Sequence, residues 1–416
     1  MKIGIFTLGC KVNQYESDAI GEKLTEKGHT VTHELEYADM YILNTCAVTN
    51  EAEKKSRQMF AKFNKLNPNA KIIVCGCASE KNAEQFRKLK NCTFITGVAN
   101  KLGIIDNIEN IKTDIKEFPA EYENEMLITR ATQGRAYIKV QDGCNNFCSY
   151  CIIPYLRGRS RSRNLDLIIN EAKQLSTQVN EIVITGIDIS DYRIDKKLAL
   201  DQLLLELDKL GVRLRIGSLE VRVVKEEFVK HIASMKNLCP HFHLSLQSGS
   251  DGVLKRMNRK YTTKDYYNAV KLLRKYFKNP AITTDVIVGF PEESEKEFKE
   301  TYKFIKKVGF SSLHIFPYSV REGTPAQKMK QVDGKIKTER VKLLQKLENK
   351  LTKNYFRKCK NKKYDLLIEE KVDNYFVGHT ENYLKVYISG NYKINEIVKV
   401  KIKKQYKDGY IAIKGE

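Results

Sequence analysis

Along the first hundred residues, short apolar runs at 2–8, 40–44, 71–74 and 93–96 alternate with stretches of helical period around 14–27 and 51–66. Strand–helix alternation with short connections predicts a parallel, doubly wound sheet, with residues 1–112 as one α/β domain. Residues 101–129 mix charges with little periodicity and read as a linking stretch. The alternation restarts at Arg135. Apolar runs at 135–141, 181–185, 213–216, 241–246, 281–288 and 313–316 are separated by helix-sized gaps. This predicts a partial or complete βα barrel over 130–353, with its chemistry at the carboxyl ends of the strands. A charged helical stretch at 335–353 closes it. From Tyr355 onward the texture becomes β-like, with runs at 364–368, 383–388, 397–402 and 410–413 punctuated by Gly and Asn. Residues 354–416 therefore read as a small β-barrel of the OB type.

Composition narrows the function. Lys and Arg outnumber Asp and Glu by 22, a surplus that points to a polyanion and to nucleic acid ahead of an anionic membrane. No run is long and apolar enough to span a bilayer, and the N-terminus turns polar too early for a secretory signal. The expectation is a cytoplasmic protein with no membrane partner, in a compartment that keeps thiols reduced. Clustered cysteines there mean metal or catalysis more often than disulfides.

Cys144-Asn-Asn-Phe-Cys148-Ser-Tyr-Cys151 places three thiols within eight residues, directly after the first barrel strand. Thiolates are soft ligands for iron–sulfur clusters or zinc. Structural zinc normally takes four protein ligands, and no fourth Cys or His lies close by. Three ligands on a four-iron cluster leave one iron open for chemistry. A zinc knuckle completed from a distance, or plain buried cysteines, are the competing readings. Cys10, Cys46 and Cys77 each follow a strand of the N-terminal domain, and such positions converge on one edge of a parallel sheet. They either ligate a second cluster or are three separate buried residues. Cys75 falls inside a strand, and Cys92, Cys239 and Cys359 lack partners at ligand spacing, so all four read as structural. Arg157, Arg159, Arg161 and Arg163 alternate with small residues after the cysteine loop, a pattern suited to phosphate. Lys401 and Lys403 alternate on a tail strand with Lys399, beside Tyr406 and Tyr410, which suits RNA phosphates and unpaired bases.

Cys-x3-Cys-x2-Cys after a first barrel strand resembles the radical S-adenosylmethionine superfamily. Thr7-Leu-Gly-Cys10-Lys-Val-Asn-Gln-Tyr-Glu-Ser17, Asn44-Thr-Cys46-Ala-Val-Thr49 and Gly76-Cys77 resemble the N-terminal domain of its methylthiotransferases, and the tail resembles the TRAM RNA-binding module. The resemblance spans nearly the whole chain. It implies a 4Fe–4S cluster on Cys144, Cys148 and Cys151, with S-adenosylmethionine on the open iron as source of a 5′-deoxyadenosyl radical. It implies an auxiliary 4Fe–4S cluster on Cys10, Cys46 and Cys77 that carries the sulfur to be methylated and inserted. Around S-adenosylmethionine it points to Tyr150, Gly186, Ser218, Glu220 and Gln247. The family usually has Asn where this chain has Asp188, and more often Pro at Ser245. Leu8-Gly-Cys-Lys-Val-Asn13 resembles the branch that acts on N6-threonylcarbamoyladenosine in the tRNA anticodon loop. The isopentenyladenosine branch tends to have Gln-Met after that cysteine and the ribosomal-protein aspartate branch Pro-Lys. A sulfur source and an electron donor such as a flavodoxin or ferredoxin are implied. No residue is assigned as general acid or base, because a radical abstracts the C2 hydrogen. A methylthiotransferase for one of the other two substrates, and a non-enzymatic metal-stabilised RNA-binding protein, are the alternatives.

Overall fold

The computed structural model describes the chain except residues 48, 49, 111, 123–125, 133 and 416 and the side chains of 50–53. Val48 and Thr49 of the second N-terminal motif therefore lie outside the described residues.

The N-terminal part runs β1 (Lys2–Thr7), α1 (Lys11–Glu26), β2 (Thr30–Thr32), β3 (Met40–Thr45), α2 (Asn50–Leu66), β4 (Lys71–Gly76), α3 (Cys77–Lys81), α4 (Glu84–Arg87), β5 (Cys92–Thr96) and β6 (Lys112–Asp114). Its six strands pair in parallel in the order β2-β1-β3-β4-β5-β6. One face of the sheet buries Ile3, Ile42 and Ile73 with Ile20 and Leu24 of α1, and the other buries Tyr41, Leu43 and Val74 with Phe60 and Phe63 of α2. Two-sided burial is why these strands read as continuous apolar runs. The strand β6 falls within the stretch read as a linker: three polar residues on a sheet edge carry no apolar pattern.

The central part runs β7 (Ala136–Asp142), α5 (Ile153–Arg157), β8 (Arg161–Ser162), α6 (Leu165–Ser176), β9 (Glu181–Gly186), a small hairpin β10 (Arg193–Ile194) and β11 (Lys197–Leu198), α7 (Leu200–Asp208), β12 (Arg213–Ile216), β13 (Ser218–Leu219), α8 (Glu226–Ala233), β14 (His241–Leu244), α9 (Asp251–Arg256), α10 (Thr263–Tyr276), β15 (Ala281–Val288), α11 (Glu295–Val308), β16 (Ser312–Pro317) and α12 (Gly334–Cys359). Two four-stranded sheets, β12-β9-β7-β8 and β13-β14-β15-β16, form the wall of a partial barrel. Leu214 of β12 bridges to Leu238 just before β14, which joins the two halves. Capping boxes at Thr262 and Ser294 start α10 and α11, whose apolar faces cover the second sheet.

The tail is a closed barrel of β17 (Lys363–Val372), β18 (Tyr375–Thr380), β19 (Lys385–Ile388), β20 (Ile397–Tyr406) and β21 (Gly409–Lys414), in the order β17-β18-β19-β21-β20. It docks on the amino-terminal ends of the central strands. The Arg215 guanidinium donates to the carbonyls of Thr380 (3.1 Å) and Glu381 (3.2 Å), Arg213 donates to that of Asp365 (3.1 Å), and the Tyr383 ring stacks on His241 with centroids 4.4 Å apart. The opposite, carboxyl-terminal rim of the central barrel is thereby left to the cysteine loops. Among the described residues no helix is long and apolar enough to cross a membrane.

Candidate functional site

The loop after β7 is built around its cysteines. Gly143 has φ +71°, and a Cβ there would collide with the carbonyl oxygen of Arg159, so glycine is required. The Cys144 amide donates to the Gly158 carbonyl (3.1 Å), the Ser149 amide to that of Met257 (3.1 Å), and the Asn258 side chain to that of Phe147 (2.9 Å). Phe147 is held at φ +46°, a conformation that needs such clamping. Cys144, Cys148 and Cys151 then line one cavity of about 150 Å³, together with Tyr150, Asp188, Ser218, Glu220, Ser245 and Arg259. Interiors pack too densely to leave such a space among polar side chains without a purpose.

The donor set suits thiolates. The Asn146 amide donates to Cys144 Sγ (3.4 Å) and Arg259 Nη1 to Cys148 Sγ (3.3 Å). Burial pushes the Cys144 and Cys151 thiols up to about 12, so in the bare protein both are neutral, and a bound metal is what strips their protons. Arg259 Nη2 also clamps Glu220 (2.6 and 2.7 Å). Asp188 receives Asn146 Nδ2 (2.9 Å) and Arg222 Nη2 (2.5 Å) on Oδ2, while its buried Oδ1 has no partner among the described residues. An orphaned carboxylate oxygen facing a cavity is an acceptor waiting for a ligand's donor. These features fit an iron–sulfur cluster with a polar organic ligand beside it.

Cys10, Cys46 and Cys77 follow β1, β3 and β4, which are adjacent in the sheet. Gly9, at φ +107°, lies so close to Cys46 that an added Cβ would sit 2.8 Å from its Sγ. Gly76, at φ +102°, passes Thr45 with room for no side chain. Cys10 enters the field of Cys77, whose thiol is raised by burial and eased by Arg157. Cys75 points the other way, into the apolar face with Ile3, Ile42 and Phe94. The two cysteine groups are locked together: α5, which follows Cys151, packs its Ile152 and Leu156 flank on Cys77 and Ala78.

Two of the five residues read from the sequence as ligand contacts are not among those that line the cavity. Tyr150, Ser218 and Glu220 line the cavity, but Gly186 and Gln247 do not. A Cβ on Gly186 would meet the Gln141 carbonyl and Ile189 at 2.9 Å, so this glycine serves close strand packing. Gln247 spends its backbone on β15, donating to Asp285 (2.9 Å) and accepting from Ile287 (2.9 Å).

The arginine row is corrected more sharply. Arg157 is fully buried, donating to Glu16 (2.9 Å), Asp142 (3.1 Å) and Asn13 (2.7 Å). Arg163 is buried against Glu171, and Arg161 donates to the carbonyls of Arg159 (2.9 Å) and Arg157 (3.1 Å). Only Arg159 of the four is exposed, with its guanidinium 4.6 Å from the Phe147 ring centroid. Three of the four guanidinium groups are thus consumed by the interior and unavailable to phosphate. On the tail, Lys401 and Lys403 stand on the partly exposed outer side of β20 and carry no ion pair among the described residues. Tyr410 is core, stacked on Phe356 at 4.5 Å, and is no platform for a base.

Sequence reading missed Arg259, Asn146 and Arg222. Asn146 stands inside the cysteine motif, whereas Arg259 and Arg222 come from later connections with no spacing signal, and only the fold brings them to the cavity.

Residues 138–305 match the model of the radical SAM superfamily, and residues 2–97 match that of uncharacterized protein family UPF0004. The threonylcarbamoyladenosine tRNA methylthiotransferase MtaB of Bacillus subtilis is 40% identical over 97% of this chain and 94% of its own length. The tRNA-2-methylthio-N(6)-dimethylallyladenosine synthase of Clostridium novyi is 33% identical over 96% of this chain and 93% of its own length. Among solved structures, the radical S-adenosylmethionine methyltransferase TsrM of Kitasatospora setae shares the fold, with a TM-score of 0.59 at 12% identity over 78% of this chain and 74% of that one. A barrel rim that gathers one cysteine triad, a sheet edge that gathers another and matches that run the length of the chain lead to one assignment: the protein is a member of the methylthiotransferase family of the radical S-adenosylmethionine superfamily.

Proposed function

We propose that the protein converts N6-threonylcarbamoyladenosine in a tRNA anticodon loop to its 2-methylthio derivative. The pair of cysteine triads held to one another by α3 and α5 supports methylthio transfer, and the observation that carries the choice of base is the 40% identity to the Bacillus subtilis threonylcarbamoyladenosine enzyme over 97% of this chain. Cys144, Cys148 and Cys151 would hold a 4Fe–4S cluster with S-adenosylmethionine, and Cys10, Cys46 and Cys77 an auxiliary 4Fe–4S cluster. When bound, these groups supply a carbon-centred radical and a methylated sulfur.

The residues around them have separable jobs. Arg259 donates to the Cys148 sulfur and fixes Glu220 as an acceptor at the cavity wall. Asp188 offers Oδ1, which has no partner among the described residues, to a ligand amino or hydroxyl group, while Asn146 and Arg222 hold the carboxylate in place. Tyr150 forms an apolar wall with Ile287 against Val253, Met257 and Phe290. No acid or base is needed at adenine C2, whose C–H has no useful acidity, and none is assigned.

The tRNA partner accords with the surplus of 22 positive charges and with Lys401 and Lys403, which carry no ion pair among the described residues of the tail barrel. Unstacked loop bases are the usual target of sequence-selective RNA recognition. Removal of both lysines (Lys401→Ala with Lys403→Ala) is expected to lower the slope of log affinity against log salt by roughly one to two, measured by titration of tRNA at several salt concentrations. A reducing cytoplasm supplies the setting, and a low-potential electron donor such as a flavodoxin or ferredoxin and a sulfur source complete the partners.

Dimethylallyladenosine is the second reading, favoured by the 33% identical relative. Mass spectrometry of tRNA nucleosides from cells with and without the gene separates the two. Loss of the 2-methylthio-threonylcarbamoyl nucleoside with accumulation of its unthiolated precursor supports the first. Loss of the 2-methylthio-isopentenyl nucleoside instead would overturn it. An unchanged tRNA profile turns attention to a ribosomal-protein aspartate.

A further inference from the structure

The second half-barrel carries a polar cluster that the chemistry above does not use. On β14, β15 and β16, Phe242, Leu244, Ile282, Val286 and Leu313 face the helix-covered core. Strand side chains alternate between faces, so His243, Asp285 and His314 face the lumen. The three strands are neighbours in the sheet and bring these residues together. His243 Nε2 lies 3.3 Å from Asp285 Oδ2, His314 Nδ1 lies 3.1 Å from Asp285 Oδ1, and the two imidazole rings are stacked with centroids 5.5 Å apart. One ligand atom from each of the three falls within 4.8 Å of the other two. The cluster adjoins the cysteine cavity. Ser218, the register partner of His243 on β13, and Ser245, two residues beyond His243, both line that cavity.

Asp285 is the odd acid of this barrel. Glu181 meets Arg215 (2.9 Å), Glu220 meets Arg259 (2.6 Å) and Asp188 meets Arg222 (2.5 Å). Asp285 meets two imidazoles and no Lys or Arg among the described residues. Two imidazoles and one carboxylate are the donor set of open zinc sites and of non-haem iron. Tetrahedral bonds of about 2.0–2.1 Å put neighbouring ligand atoms about 3.3–3.4 Å apart, and the two separations here are already 3.1 and 3.3 Å. One ring is also held in place: His243 Nδ1 hydrogen-bonds with Thr283 Oγ1 at 3.0 Å, which leaves Nε2 for an ion. Entry is open, since the His314 side chain is 57% exposed and that of Asp285 31%. We infer that His243, Asp285 and His314 bind a divalent transition-metal ion, separate from both cysteine triads. Three protein ligands leave a coordination position free, and it faces the lumen beside the cysteine cavity. This holds whichever base is methylthiolated.

The test uses the full-length, cluster-loaded enzyme, so that the triad cysteines are engaged. After a brief anaerobic exchange against EDTA it is equilibrated with zinc chloride and desalted. Zinc analysis is expected to find about one ion per chain, with iron unchanged. Zinc K-edge absorption should show nitrogen and oxygen neighbours at about 2.0–2.1 Å and no sulfur at about 2.3 Å. Asp285→Asn and His314→Gln should each weaken zinc binding by at least about 100-fold, and Thr283→Val by roughly tenfold. The exposure of His314 means that its replacement removes a ligand without disturbing the core. A wild type that takes up no zinc, zinc with sulfur neighbours, or unchanged affinity in either ligand variant overturns the assignment.

Discussion

An enzyme in which Cys144, Cys148 and Cys151 are all replaced by alanine is expected to form no 5′-deoxyadenosine, a loss of at least about 1,000-fold, while keeping about half of its iron. The expectation follows from the division of ligands. Three thiolates from one loop supply every protein ligand of the central cluster, so removing them leaves no alternative set nearby. Cys75, Cys92, Cys239 and Cys359 are placed elsewhere, and none lines the cavity. The sheet-edge triad stands on different strands and keeps its own cluster, so iron should fall from about eight to about four atoms per chain. The complementary replacement of Cys10, Cys46 and Cys77 should lose a similar share of iron, keep 5′-deoxyadenosine formation and yield no methylthio product. Iron analysis, product chromatography and nucleoside mass spectrometry read these outcomes. Cys75→Ala serves as the internal control. Its side chain faces the apolar side of the sheet, so iron should stay at the wild-type level. A Cys75→Ala enzyme with half the iron would reassign the auxiliary ligand from Cys77 to Cys75.

Much of this architecture was legible because the signals are local. Doubly buried parallel strands read as apolar runs, and the triad after β7 sits within eight residues at a strand end. The sheet-edge triad was legible only through topology: β1, β3 and β4 are neighbours, which spacing alone does not tell. The strands β2, β6 and β18 escaped for a different reason. The first two are three-residue edge strands, and β18 holds Gly378 and His379 where an alternating pattern was sought. The arginine row misled because sequence shows charge but not its partners. Glu16, Asp142 and Glu171, which consume Arg157 and Arg163, lie in α1, β7 and α6. The same limit hid Arg259 and Asp188, whose roles depend on loops that meet only at the barrel rim.

Those hidden partners also carry the largest stability effect. Glu16→Ala is expected to destabilise the protein by about 3 to 5 kcal/mol, because it strips one of two acids from a buried set holding three cations. Glu16 accepts from Lys139 (2.7 Å), Arg157 (2.9 Å) and Lys101, and Asp142 accepts from Lys139 (2.6 Å) and Arg157 (3.1 Å). All five side chains are nearly inaccessible to solvent. Losing Glu16 leaves Lys101 without an ion-pair partner among the described residues and puts Lys139 and Arg157 on Asp142 alone. The melting temperature should fall by roughly 10 °C, whereas Glu26→Gln, on an exposed pair with Lys23 at 2.9 Å, should change it by about a degree. The pH dependence has a definite sign. Burial alone would raise the Asp142 carboxyl, but Arg157 and Lys139 outweigh it and hold it at about 2, below its ordinary 3.8. A depressed carboxyl adds stability above its unfolded value, and that stability is lost as pH falls from about 4 toward 2. The contribution of Asp142 to the melting temperature should therefore be level through neutral pH and be lost only in acid. Activity should fail along with stability, and in a particular way. Arg157 bridges Asn13, three residues after Cys10, to Asp142, two residues before Cys144. Weakening its anchor loosens the register between the two triads rather than either triad itself. Glu16→Ala below its melting point should therefore keep iron and 5′-deoxyadenosine formation while losing methylthio product, and that ratio distinguishes a misaligned pair of sites from a damaged one.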